Sequence, residues 1–227
     1  MTMVNKQRKV QHLFLRAGFG ESPLKVQQLT GKSRAELVQN LFIDSKPVNN
    51  LKELRNPVRG NEASNLKIAL RILRSKEQVK SLNLAWLKKM ANERAQLREK
   101  MTLFWHGHFA TKIPFAYLMQ VQNNTLREHA LGSFRSLLHA IAKDPAMLIF
   151  LNNHQNRKRS PNENFARELM ELFTLGEGRY SEKDIREAAR AFTGWQVDKG
   201  GKFFFHSKRH DFGDRKSTRL NSSHPSR

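Results

Sequence analysis

Helix punctuation recurs along this chain so closely that little room is left for strands. Ser22-Pro23 reads as an N-cap with proline at the first helical position, and predicts a short helix to about Thr30. Ser33-Arg-Ala-Glu36 has the form of a capping box ahead of Leu37, Leu41 and Phe42. Asp144-Pro145 opens a short apolar helix, and Ser181 caps another that runs to about Phe192 and stops at Gly194-Trp195. Between these marks, apolar residues recur at helical spacing over residues 6–17, where Val10, Leu13, Phe14 and Ala17 share a face, and again over 116–130 and 133–143. The stretch from Ala63 to about His106 also reads as helix, with a break near Ser75, where Ser75-Lys-Glu-Gln78 can cap a second segment. Residues 45–62, with Pro47, Pro57 and Gly60, and the polar run 152–159 read as loops. Only residues 202–206, Lys-Phe-Phe-Phe-His, read as a strand. The expected fold class is mainly α: an irregular multi-helix array with a short β element near 202–206, incomplete at the C-terminus.

Composition narrows the function classes. With 227 residues the chain is long enough to bury a real core, and the absence of cysteine excludes disulfides, thiolate metal sites and a cysteine nucleophile. Its longest apolar run, residues 146–151, is far short of the roughly 20 residues that span a bilayer. The opening MTMVNKQRKVQH lacks an apolar stretch behind its charges, so no secretory signal is visible and a cytoplasmic location is the default expectation. The formal charge of +21 raises nucleic acid as a partner. Against this, Lys6/Arg8/Lys9, Lys88/Lys89 and Arg157-Lys158-Arg159 lie scattered in the sequence, and no finger, P-loop or dinucleotide motif is present, so a dedicated nucleic-acid function is not favoured.

Three places can carry chemistry. Ser160-Pro161-Asn162-Glu163 reads as a capping box for a helix running to Leu175, with Gly176 as its left-handed stop. On that helix Glu163, Asn164, Arg167, Glu168 and Glu171 fall in one arc of roughly 140°, opposite Phe165, Ala166, Leu169, Met170, Leu172 and Phe173. Carboxylates at i,i+3, such as Glu168 and Glu171, ligate metals when partner helices add donors, while a solvated face with Arg167 bridging Glu163 and Glu171 is the plainer reading. The second place is Phe104-Trp-His-Gly-His-Phe109. His106 and His108 lie about 200° apart on a helix and converge on a metal only if the backbone turns at Gly107. The third is His210-Asp211.

These motifs, in this order, resemble one family. His12-Leu-Phe-Leu-Arg-Ala-Gly-Phe-Gly20, the Trp105/His106/His108 segment, residues 162–176, Ala191-Phe-Thr-Gly-Trp195 and His210-Asp211 are similar to the bacterial domain of unknown function 1800, over about residues 8–213. Gly107 stands where that family often has Asn. The resemblance implies no established activity, but it marks Asn162, Glu163, Asn164, Arg167, Glu168, Glu171, His106, His108, His210 and Asp211 as signature polar residues, which implies a buried polar site. Two functions are then open, and the sequence does not decide whether the chain is an enzyme. One is a metal-assisted hydrolase, with a divalent metal on His106, His108 and Glu168, Glu171 as general base and Arg167 orienting an anionic group. The other is a non-catalytic helical scaffold or binding module held by a buried polar network.

The last fourteen residues, 214–227, break the pattern. They carry no apolar periodicity, and Leu220 is their one sizeable apolar side chain. DRKSTRLNSSH looks like the translation of a common sequencing adapter, so 214–227 is read as an artefactual, disordered tail. It holds four basic residues and one acidic one, and without it the charge is still +18. Residues 1–213 are then expected to be the N-terminal part of a larger helical domain, similar family members being roughly twice this long. The missing C-terminal half would pack on apolar surface left open here.

Overall fold

The computed structural model describes residues 3–55 and 65–214. Among them are ten α-helices: α1 (Met3–Ala17), α2 (Pro23–Leu29), α3 (Arg34–Asp44), α4 (Asn65–Asn92), α5 (Gln96–His108), α6 (Ala116–His129), α7 (Phe134–Ala142), α8 (Pro145–Phe150), α9 (Asn164–Glu171) and α10 (Glu182–Ala191). One two-stranded sheet follows, β1 (Trp195–Val197) antiparallel to β2 (Phe203–Phe205), with Trp195 opposite Phe205. The fold is mainly α, as the punctuation predicts.

Local capping chemistry builds many of these helices. Ser22 accepts from the Lys25 N–H, and Ser33 and Glu36 exchange both bonds of the capping box. Ser181 and Asp184 do the same at α10. Packing then sorts the helices. Val10, Phe14, Val26, Leu37 and Leu41 join α1, α2 and α3 in one cluster. Phe109, Leu126, Leu137, Ile141, Met147, Leu148, Phe165 and Phe173 form the main core, joining α5 through α9. Ala166, Ile185 and Ala189 close α9 onto α10.

Four expectations are corrected. Residue 75 does not break the helix: α4 runs unbroken from Asn65 to Asn92. Ser75 is buried, and its hydroxyl accepts from the Ala116 N–H at 3.0 Å, serving the start of α6, where Phe115 offers no side-chain cap. Ser160 does not cap α9. Its N–H turns back to the Arg157 carbonyl (2.9 Å), and α9 starts at Asn164, whose N–H is accepted by the Asn162 side chain (3.0 Å). The same helix stops at Glu171, not Leu175. The Glu168 carbonyl takes both the Leu172 and Phe173 N–H groups, and the chain unwinds to Gly176 at φ +81°. Finally, the strand near 202–206 has a partner that three residues of sequence did not signal, Trp195–Val197. Residues 45–55 lack helix and strand as expected. Pro57, Gly60 and the tail from Arg215, including Leu220, lie outside the described residues.

A buried charge network fastens the middle of the fold. Arg127 is 0% and Glu99 1% exposed. Arg127 Nε and Nη2 donate to the two Glu99 oxygens (2.6 and 3.0 Å), while Nη1 and Nη2 reach Asn124 and Asn123 (both 2.8 Å). The indole N–H of Trp86 donates to Glu99 as well (3.0 Å), so α4, α5 and α6 meet at one carboxylate. Arg98 adds a second tie, donating to the Ser45 carbonyl after α3 and to the Arg127 carbonyl near the end of α6 (both 2.7 Å).

Asp144 is a buried acid in the same region. Its Oδ1 caps α8 through the Met147 N–H (3.0 Å) and accepts from the Gln122 amide (3.1 Å), while Oδ2 has no partner among the described residues. Burial pushes its carboxyl up to about 7, against the pull of those N–H donors. Unfolded, the same carboxyl ionises near pH 4. As pH rises from about 4 to about 7, the unfolded chain gives up a proton that the folded one keeps, so stability falls across that window and levels off above it. An asparagine side chain at this position would keep the cap without the titration. Urea unfolding of wild type and Asp144→Asn at pH 4.5 and 7 is expected to show this component in the wild type alone. Equal pH slopes would contradict it.

Candidate functional site

Three of the signature segments, residues 162–176, 191–195 and 210–211, meet at one end of the core with α10 and the loop after α8, whereas His12–Gly20 packs with α2 and α3 in a separate cluster. On α9, Phe165 and Ala166 are buried, and the polar face is turned the other way. That face is not buried among the described residues: Asn164 is exposed, and Glu163, Arg167, Glu168 and Glu171 are half-buried. The physical reason is amphipathic: Phe165 packs into the main core and Ala166 against Ile185 and Ala189 of α10, while the polar side is held by hydrogen bonds and ion pairs without being covered. Arg167 bridges Glu163 (3.3 Å) as the spacing predicts. Its second partner is Glu182 of α10, met at 2.8 and 2.9 Å, rather than Glu171. That bidentate pair raises the Arg167 pKa and lowers that of Glu182. Desolvation first, and then the charge of the nearby Glu171, raise the Tyr180 pKa.

The two histidines do not converge. Gly107 keeps helical geometry inside α5, so His106 and His108 leave on different faces. His106 sets its ring against Trp86 (centroids 5.1 Å, 88°), and burial lowers its pKa, favouring the neutral form. His108 is ringed by Trp105, Phe109, Phe134 and Phe173, and its Nε2–H donates to the Phe173 carbonyl just beyond α9 (3.1 Å). Among the described residues no group of three or more His, Cys, Asp or Glu gathers to hold a metal ion. His106, His108 and Glu168 do not form such a group, since Gly107, where convergence would require the backbone to turn or extend, stays helical.

His210-Asp211 is seated by the Thr193-Gly194 turn. His210 Nδ1–H donates to the Thr193 carbonyl (2.7 Å), and the Asp211 N–H to the Thr193 hydroxyl (2.9 Å). Arg190 of α10 holds the Asp211 carboxylate (2.8 Å) and that of Glu187 (2.7 Å), which raises its pKa. Gly194, at φ +79°, lets the chain pass so close that a Cβ there would stand 2.8 Å from the His206 carbonyl oxygen. Sequence reading missed the residues that complete this junction. Asn153, Asn156 and Thr193 are fully buried. Asn156 donates to Asn153 (3.0 Å) and the Ala189 carbonyl (2.8 Å), and accepts the Asn162 N–H (2.9 Å); Asn153 donates to the Phe192 carbonyl (3.3 Å). Their one signal was a run of asparagines in a loop, which also fits an exposed turn.

Two open clefts, of about 860 and 610 Å³, lie elsewhere, one lined by Asn50, Lys88 and Glu93 and the other by Lys25, Asp44 and Arg94. Neither is lined by the signature polar residues. What fold and site define is a helical array whose signature polar groups lie at the joints between elements. The chain belongs to the family described as a protein of unknown function, DUF1800, which matches residues 12–226. No curated protein and no solved structure matches it. Among the described residues no helix is long and apolar enough to cross a membrane.

Proposed function

We propose that this chain is a non-catalytic helical scaffold or binding module, whose signature polar residues act by fixing elements to one another. One observation carries the reading: these groups bond outward to other segments. His108 reaches Phe173, Asn164 the Leu151 carbonyl (3.2 Å), Arg167 Glu182, His210 Thr193 and Asp211 Arg190. A hydrolase built on His106, His108 and Glu168, with Glu171 as base, needs donors that meet at one point, and α5 carries its two histidines apart. Metal analysis of the purified chain tests the choice. Sub-stoichiometric metal is expected in wild type and His106→Ala alike. A stoichiometric metal that is lost in His106→Ala or Glu168→Gln would overturn the scaffold reading and restore the enzyme.

A further inference from the structure

Basic segments that are far apart in sequence lie side by side in the fold. The Lys158 N–H donates to the Arg209 carbonyl at 2.9 Å, which pins Arg157-Lys158-Arg159 against Lys208-Arg209. Arg157, Lys158, Arg159 and Lys208 are exposed, and Arg209 is half-buried with its guanidinium on the neutral Gln196 oxygen (2.9 Å). None of these five cations forms an ion pair among the described residues. The nearby acids are engaged elsewhere: Glu163 with Arg167, Asp211 with Arg190, and Asp198 on the Lys202 N–H.

Aromatic rings continue this edge. Phe205 and Phe212 are 46% and 72% exposed, while Phe204, next to Phe205 in β2, alternates to the other side of the strand. Phe205 and Phe212 flank the His210 ring, with centroids at 5.1 and 4.6 Å, so the bonded imidazole props both. Exposed rings beside unpaired cations are the two parts of a single-strand surface: cations track phosphates, and rings stack on unpaired bases.

We propose that the face formed by residues 157–159 and 205–212 docks single-stranded nucleic acid. The inference goes beyond the scaffold reading and does not depend on it, since Lys158, Arg159, Lys208 and the phenylalanines are not signature polar residues. Alternative polyanions fit the face less well. A duplex keeps its bases stacked inside and gives the two rings nothing to meet. A bilayer that took up Phe212 would draw in the neighbouring Asp211 carboxylate and its Arg190 partner, at a cost that exposed phenylalanine does not offset.

The test is fluorescence anisotropy with labelled oligothymidylate, a hairpin duplex of the same length, and sedimentation with phosphatidylglycerol vesicles. Lys158→Glu/Arg159→Glu should weaken oligothymidylate binding about tenfold or more. Phe212→Ala should weaken it several-fold. The control Lys25→Glu/Lys32→Glu, with the same charge change on exposed residues of α2 and the turn after it, should leave it nearly unchanged. With about five phosphates engaged, log K should fall with log salt at a slope of about −3.5. Circular dichroism melts report folding, and Lys208→Glu serves as the second variant should the double one not fold. Equal weakening by the control pair, duplex binding as tight as single-strand binding, or capture by vesicles without oligothymidylate binding would each overturn the proposal.

Discussion

Replacing Arg127 with methionine is expected to destabilise the fold by about 3–5 kcal/mol, because it leaves the Glu99 carboxylate buried without its charge partner. The methionine fills much of the volume, so the loss measures the stranded charge rather than a cavity. Among the described residues Glu99 would retain only the Trp86 N–H at 3.0 Å, and Asn123 and Asn124 would each lose a donor. Removing both charges, in Arg127→Met/Glu99→Gln, should cost less than Arg127→Met alone, since the neutral amide is far cheaper to bury. Urea unfolding followed by circular dichroism checks both. A single-variant cost below about 1 kcal/mol, the range of surface ion pairs, would show that this pair is solvated and the network is not what fastens α4, α5 and α6.

Gly194→Ala is the second large effect. Its φ of +79° costs an alanine about 1–2 kcal/mol by itself. The added Cβ would also stand 2.8 Å from the His206 carbonyl oxygen and 3.1 Å from the His210 backbone nitrogen. Those are backbone atoms, so relief requires the β2 side of the hairpin to move away from the turn. The His206 N–H bond to the Gly194 carbonyl (2.7 Å) and the seat of His210 on Thr193 move with it. A total loss of about 2–4 kcal/mol is expected, the sum of the strain and one or two broken bonds. Gly176→Ala makes a useful comparison, because it has the same sign of φ and no atom within 4 Å of the new Cβ. It should lose only the conformational part. Equal losses at both positions would mean that the close approach at Gly194 contributes nothing.

What was legible in the sequence was chemistry that closes within four residues. The caps at Ser22, Ser33, Asp144 and Ser181 formed because donor and acceptor sit three positions apart whatever surrounds them. Ser75 and Ser160 carry the same local pattern and failed for different reasons, the first tertiary and the second a competing local turn. The Ala116 N–H took the first hydroxyl, and a turn with Arg157 took the second backbone. The Arg127–Glu99 pair spans 28 positions and depends on how α5 crosses α6, which no periodicity encodes. At the candidate site the helical wheel placed Glu163, Asn164 and Arg167 correctly on one face. It could not supply Glu182, fifteen positions on, or tell that the face stays open. The histidine pair turned on one backbone conformation at Gly107, where glycine permits a turn without requiring one.

Hydrogen exchange tests most directly whether the signature residues hold the frame together. Exchange of backbone amides is to be compared between wild type and Asp211→Ala, which cuts the tie from Arg190 to the segment after β2. Loss of protection is expected at Trp195–Val197, Phe203–Phe205 and the end of α10, while α5 and α6, fastened by Arg127 and Glu99, keep theirs. Protection unchanged at the hairpin and α10 would contradict the account, since the Asp211 carboxylate would then not be needed to hold these elements together.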